Sequence, residues 1–421
     1  MLGGGGLEAV RRRVHTALVV SQILGGLGNA TAAALAAVLA EQIGGSEAVA
    51  GLASTSSVIG AALLSLPFAA LMARRGRRAG LATAYAVAAA GGVTVLVAAT
   101  LRNFPLLLVG MAAFGASNAA NLQARFAAAD LAQPRHRARA ISTVVWATTV
   151  GAVLGPNIAA PAGASVAALG LPQAAGPFLW ATGAFLVAGG VLHLMLRPDP
   201  LLTARTLARA QEEHGEGTAG SWDGRSLRAG LAAVRGSSRA RVALVAIAGS
   251  HTVMVSVMVM TPVDLGGHGA GVELIGLVIS GHIAGMYAFS PVMGWLADRV
   301  GRLSVVLAGV ALLACATALA GTAGGNHAQS AVGLFVLGLG WSAGLVSGSA
   351  LLTDAVPQHA RAAVQGFSDT VMNAAAGVGG ALSGLVVAQA GYGWLNAMAA
   401  ALLVPVAALA LAAVLRRRPR G

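Results

Sequence analysis

Twelve stretches long enough to cross a bilayer make up most of this chain. They lie at about 15–41, 47–72, 79–101, 104–129, 140–165, 175–197, 240–262, 273–296, 303–323, 329–353, 362–389 and 394–415. A helix through the hydrocarbon core needs roughly 20 apolar residues. A helix also satisfies its backbone N–H and C=O groups within the segment, as lipid demands. Only 10% of the residues are charged, against about 25% in soluble domains. The sequence therefore predicts an all-α integral membrane protein of twelve transmembrane helices.

Charge placement orients those helices. The net charge is +13 and all 27 basic residues are arginine. Nucleic acid is excluded as the partner, because the arginines fall in alternate gaps between apolar runs and form no aromatic-interleaved basic surface. If twelve helices alternate, 25 of the 27 share one side, Arg102 and Arg125 being the exceptions. By the positive-inside rule that side is cytoplasmic, with both termini. The expected location is the cytoplasmic membrane. Met1 to Arg13 followed by an apolar stretch imitates a signal peptide, but the run is too long for one and reads as a first spanning helix. Residues 198–238 are too polar to span and read as a cytoplasmic linker, with a short surface helix at 201–213. The lone cysteine, Cys315, excludes an internal disulfide and a cysteine-based metal site.

The chain repeats itself. Gly294-Trp-Leu-Ala-Asp298-Arg299-Val-Gly301-Arg302 has a degraded copy in the first half of the chain, in Ala69 to Ala73, Arg74, Gly76 and Arg77. Asp130 precedes Arg137 by seven positions, and Asp354 precedes Arg361 by the same interval. The offset from Ala69 to Gly294 and the offset from Asp130 to Asp354 differ by a single position. Two landmarks with nearly one offset imply a duplication of half the chain. The Gly-x-Leu-Ala-Asp-Arg-x-Gly-Arg turn resembles the signature that the major facilitator superfamily carries between the second and third helices of each half. The first copy departs from it, with Ala69 for the glycine and Ala73 for the aspartate. Gly151-Ala-Val-Leu-Gly155-Pro156 in the fifth helix is similar to the core of the motif in proton-linked antiporters of that superfamily, with Ser142, Ala159 and Ala160 where further glycines are expected.

The resemblance implies two pseudo-symmetric six-helix bundles, at 14–197 and 239–415, flanked by cytoplasmic tails at 1–13 and 416–421. It implies a monomeric transporter with no cofactor or metal, whose partners are a small-molecule substrate, protons and the lipid bilayer. The expected function is movement of a small organic solute by alternating access. Proton-coupled efflux is the first reading; uptake of a sugar or metabolite by symport or facilitated diffusion is the alternative. No Gly-x4-Gly-Lys-Ser/Thr loop is present to suggest an ATP-driven pump. A membrane enzyme or receptor stays as a remote alternative, without clustered acids or histidines to support an enzyme.

An ionisable group inside a span is costly and usually has a function. Asp369 is the acid well inside a predicted span, so it is the leading candidate for proton coupling. His251 and His282 fall at similar depth, and His251 is the second coupling candidate. Asn29, Asn118, Asn121, Asn157 and Asn373 add polar groups. Of these, Asn29, Asn118, Asn121 and Asn373, with His251, His282 and Trp341, are the candidate substrate contacts. Trp146, Met254 and Met258 are weaker possibilities for an apolar wall. Exporters of this kind often carry an arginine four residues before a glycine in the fourth helix. Counting back from Gly115 gives Met111, and Arg125 reads as too near the inner end to replace it. Gly294, Asp298, Arg299, Gly301 and Arg302, with Arg74, Gly76, Arg77, Asp130, Arg137, Asp354 and Arg361, are expected to form interlocking gate ion pairs.

Overall fold

A computed structural model of the chain describes residues 4–33, 35–45, 50–166, 170–213 and 227–415. The tail 416–421 and linker residues 214–226 lie outside the described residues. Among those described there is no strand, and eleven helices are long and apolar enough to cross a membrane. A bent pair, Gly6–Ala33 with Ala36–Gly44 at 41°, makes the twelfth when taken as one span, α1. The others are α2 (Ala50–Arg75), α3 (Arg77–Leu101), α4 (Phe104–Asp130), α5 (Arg137–Ser165), α6 (Gly176–Met195), α7 (Ser238–Gly267), α8 (Glu273–Val300), α9 (Arg302–Gly321), α10 (His327–Ala355), α11 (Arg361–Ala390) and α12 (Tyr392–Leu415). The helix containing Arg11 to Arg13 starts at Gly4, so much of the stretch read as a tail continues α1. The linker carries the expected surface helix at Pro200–Glu213 and a second at Leu227–Gly236.

Local chemistry marks several ends. Asn103, Ser237 and Asn326 cap α4, α7 and α10 by accepting the N–H groups of Leu106, Ala240 and Gln329. Between α2 and α3 the chain turns at Gly76 with φ 89°, and between α8 and α9 at Gly301 with φ 100°. These are the glycines of the two repeated turns, and a left-handed backbone needs a residue without Cβ. One repeat feature is thus explained by backbone geometry alone.

The described chain divides into two compact units. The first holds the described residues within 1–132, 147–230 and 358–370; the second holds those within 133–146, 231–357 and 371–415. Each sequence half therefore lends a segment of one helix, from α5 or α11, to the other unit. In the first unit α1 and α3 pack on α6; in the second, α10 is the hub for α7, α8 and α9. Glycines at every fourth position of α10 permit this close packing, with Gly340 against Leu313, Gly344 against Ser250 and Gly348 against Ile247.

The fifth-helix motif also works by close approach. A Cβ on Gly151 would lie 2.3 Å from the Leu27 nitrogen, and one on Gly155 would lie 2.5 Å from the Ala30 Cβ. Pro156 is on the exposed side of the same helix. The α1 backbone cannot yield as a flexible side chain would, so Gly151→Leu is expected to push α1 and α5 apart. Overpacking of this kind costs about 1–3 kcal/mol or more. A lowered unfolding midpoint in detergent would show it, and an unchanged midpoint would refute the close packing.

Candidate functional site

The first unit contains a buried polar network that runs through three helices. Arg77, at the start of α3, has no solvent exposure. Its Nε donates to Asp130 Oδ2 at 2.8 Å and its Nη1 to Gln123 Oε1 at 3.0 Å, both acceptors on α4. Its Nη2 donates to Gln365 on α11. Gln123 continues the line, its Nε2 donating to Asp369 Oδ2 at 2.6 Å. Arg125 Nη2 donates to Asp369 Oδ1 at 2.5 Å, and both side chains are within 1% of complete burial. Both carboxylate oxygens of Asp369 thus have donors.

Arg125 is the residue whose partner sequence reasoning does not supply. Sequence position puts it too near the inner end of its span to replace an intramembrane arginine, and in the structure it is the counter-ion of Asp369. The pairing links residues 244 positions apart, which local spacing cannot reveal. The usable signal was an arginine and an acid that both lie inside predicted spans.

The second unit holds the fuller copy of the repeated turn. Asp298 accepts the Ala138 and Arg139 N–H groups at 3.2 and 3.0 Å, which satisfies the start of α5. Arg302 reaches Asp298 at 2.9 Å and Asp354 at 3.2 Å, and Arg137 also pairs with Asp354. Arg299 lies over the Trp295 ring, and Arg361 donates to Gln358. Arg74 is exposed at the end of α2.

Comparing positions at the repeat offset explains the degraded copy. Asp298 corresponds to Ala73, and the Ala138 it caps corresponds to Ala362. Ala73 and Ala362 instead form an apolar contact with Leu201 of the linker helix. The glycine is exchanged rather than lost. A Cβ on Gly294 would meet the Ser142 Oγ at 2.1 Å; at the matching positions, a Cβ on Gly366 would meet the Ala69 Cβ at 2.1 Å. Asp199, before the linker helix, accepts the Arg78 N–H at 2.7 Å, so its cap falls on the start of α3 and not of α11. By contrast Arg125 and Asp369 correspond to Ser349 and Val145. Among the gate-type pairs, Arg77–Asp130 is matched by Arg302–Asp354, whereas the buried Arg125–Asp369 pair belongs to one copy.

The predicted substrate contacts separate into distinct clusters. In the first unit Asn29 Nδ2 donates to Asn118 Oδ1 at 3.1 Å, and Ser117 Oγ to Asn29 Oδ1 at 2.6 Å. Asn121 does not join Asn118 but accepts from the Tyr85 hydroxyl at 2.6 Å. Asn157 is no part of either, being exposed and bonded to the Val153 carbonyl. In the second unit the Trp341 indole donates to His251 Nδ1 at 2.8 Å, and Tyr287 packs edge-on to Trp341 at 5.5 Å. Indole N–H is only a donor, so Nδ1 is unprotonated in this arrangement. His282 is fully buried, with Nδ1 at 2.8 Å from the Leu334 carbonyl in the contact of α8 with α10. Asn373 is half-buried on α11, Trp146 is exposed and Met254 is buried.

Comparison with known proteins fits this architecture. A family model described as Major Facilitator Superfamily matches residues 18–269 and 242–421. The uncharacterized MFS-type transporter YdeG of Bacillus subtilis (strain 168) is 37% identical over 406 residues, which cover 95% of this chain and 92% of that protein. The riboflavin transporter RfnT of Brucella anthropi is 28% identical over 417 residues, 98% of each chain. Among solved structures, the proton:xylose symporter XylE matches with a TM-score of 0.72 at 16% identity, covering 96% of each chain. The human organic anion transporter MFSD10 matches with a TM-score of 0.70 at 17% identity, covering 95% of this chain and 99% of that one. These structural likenesses speak to the fold.

Proposed function

We propose that this chain, which belongs to the major facilitator superfamily and is a multi-pass membrane transporter of small solutes, exports a small, partly apolar organic compound by proton antiport. Its relatives are transporters rather than enzymes. The observation that carries the proton coupling is the buried Asp369 held by Arg125 and Gln123. A carboxylate shut from water with an arginine counter-ion has two states of different charge, and taking up a proton releases Arg125. His251 is the weaker coupling candidate, because protonating Nδ1 breaks its bond with Trp341.

The working cycle follows from the ion pairs. By the positive-inside rule the arginine-rich helix ends are cytoplasmic, as are both termini. Arg137 with Asp354, and Arg77 with Gln365, join residues of the first sequence half to residues of the second. If the six-helix halves 14–197 and 239–415 part at that end, these contacts break. The polar clusters around Asn29, Asn118 and Asn121, and around His251 and Trp341, are the proposed solute contacts.

A second reading is uptake of a neutral heteroaromatic metabolite. It is favoured by the likeness to a riboflavin transporter along almost the whole chain and by the uncharged hydrogen-bonding groups of both clusters. The test is accumulation of ethidium and, separately, of riboflavin in expressing cells, with and without a protonophore. Export predicts at least a two-fold lower ethidium level, abolished by the protonophore and by Asp369→Asn. Raised riboflavin instead supports the second reading. No change in either, with the protein confirmed in the membrane, refutes both for these probes.

A further inference from the structure

We propose that Gln123 is a positioning residue that transmits the protonation of Asp369 to the Arg77–Asp130 gate pair. The inference rests on Asp369 being the proton site. Gln123 lies fully buried between the two ion pairs and touches both, through Oε1 to Arg77 and Nε2 to Asp369. The chemistry fixes this orientation. Arginine offers only donors and an ionised carboxylate only acceptors, so the carboxamide oxygen must face Arg77 and its NH2 must face Asp369.

Protonation reverses what Asp369 asks of its neighbours. A proton on Oδ2 sets a donor against the Gln123 NH2, and one on Oδ1 sets a donor against Arg125. Rotation of the carboxamide by half a turn lets its oxygen accept from the protonated acid. The same rotation withdraws that oxygen from Arg77 and presents NH2 to a guanidinium. Arg77 then loses an acceptor in a place without water, where an unmet donor is most costly. Its remaining links, to Asp130 and across to Gln365 on α11, are loosened together. One side chain thus couples a proton deep in the span to a contact between sequence halves.

The charged groups around this path are few among the described residues. Asp369 faces Arg125 on α4 and Arg77 on α3, Asp130 lies on the far side of Arg77, and Arg205 of the linker helix faces Arg77 and Asp130. On its own helix α11 begins with Arg361.

The experiment measures the distance between spin labels at positions 74 and 359, in a Cys315→Ser background, by pulsed electron spin resonance. The full-length protein in nanodiscs is titrated over about pH 5 to 9. Wild type should show a sigmoidal change in the distance distribution, and Asp369→Asn should abolish it. Gln123→Met keeps the length of the side chain without its hydrogen bonds, and should lower the amplitude at least two-fold. Gln123→Glu still accepts from Arg77 but sets a second carboxyl beside Asp369, so the midpoint should rise by about one pH unit or more. A wild-type midpoint and amplitude in both Gln123 variants would overturn the relay while leaving proton coupling intact. A flat profile in wild type, or one that survives Asp369→Asn, would overturn the assignment of Asp369 and the relay with it.

Discussion

Arg125→Met should be among the most damaging single substitutions in this protein. It leaves Asp369, which has no solvent exposure, with Gln123 but without its counter-ion. Breaking a buried ion pair from one side costs about 3–5 kcal/mol, because the remaining charge cannot be rehydrated. The expected result is a large fall in the unfolding midpoint in detergent, together with loss of transport. The double variant Arg125→Met with Asp369→Leu should regain most of the stability, since replacing both charges removes the desolvation cost. It should not regain protonophore-sensitive transport. Equal stability of the single variant and wild type would show that the pair carries no such load.

The second large effect is a contrast between two residues that the repeat makes equivalent. Arg77 and Arg302 stand at the same place in the two matching turns. Arg77 pairs with Asp130 at complete burial of both side chains, whereas Arg302 is 14% exposed and its partner Asp354 is 28% exposed. Arg77→Met is therefore expected to cost about 3–5 kcal/mol, by the argument for any half-broken buried pair. Arg302→Met should cost about 1 kcal/mol or less through its solvent-facing pair with Asp354, plus a modest loss at the more buried Asp298. Thermal unfolding of the two variants side by side decides this. If Arg302→Met is as damaging as Arg77→Met, burial is not what separates the two copies.

The same contrast shows which parts of the structure could be read early. Apolar run length located the spans, because lipid forces a helix of a minimum length wherever it is crossed. The ends were less legible: α7 extends to Gly267, past the expected 262, and the first helix starts near the chain end. Glycine at 76 and 301 was legible because a turn of that shape needs a positive φ. Asn118 with Asn121 was misleading. Their spacing of three suggests one cluster, yet their partners lie on different helices, Asn29 on α1 and Tyr85 on α3.

Taken alone, the sequence determined a twelve-helix membrane protein and the family it belongs to, and it located Asp369 as an acid inside a span. Those features follow from local physics: hydropathy sustained across the width of a bilayer, a repeated turn and the cost of a charge in lipid. Tertiary structure alone decided that Asp369 meets Arg125, that Gln123 joins this pair to Arg77, and that Ala69 and Gly366 exchange the roles of Ser142 and Gly294. Each depends on which helices approach closely, and partners drawn from opposite halves of the chain leave no mark in local periodicity. The asymmetry of burial between Arg77 and Arg302 arises for the same reason, since solvent exposure belongs to the packed assembly and not to the motif.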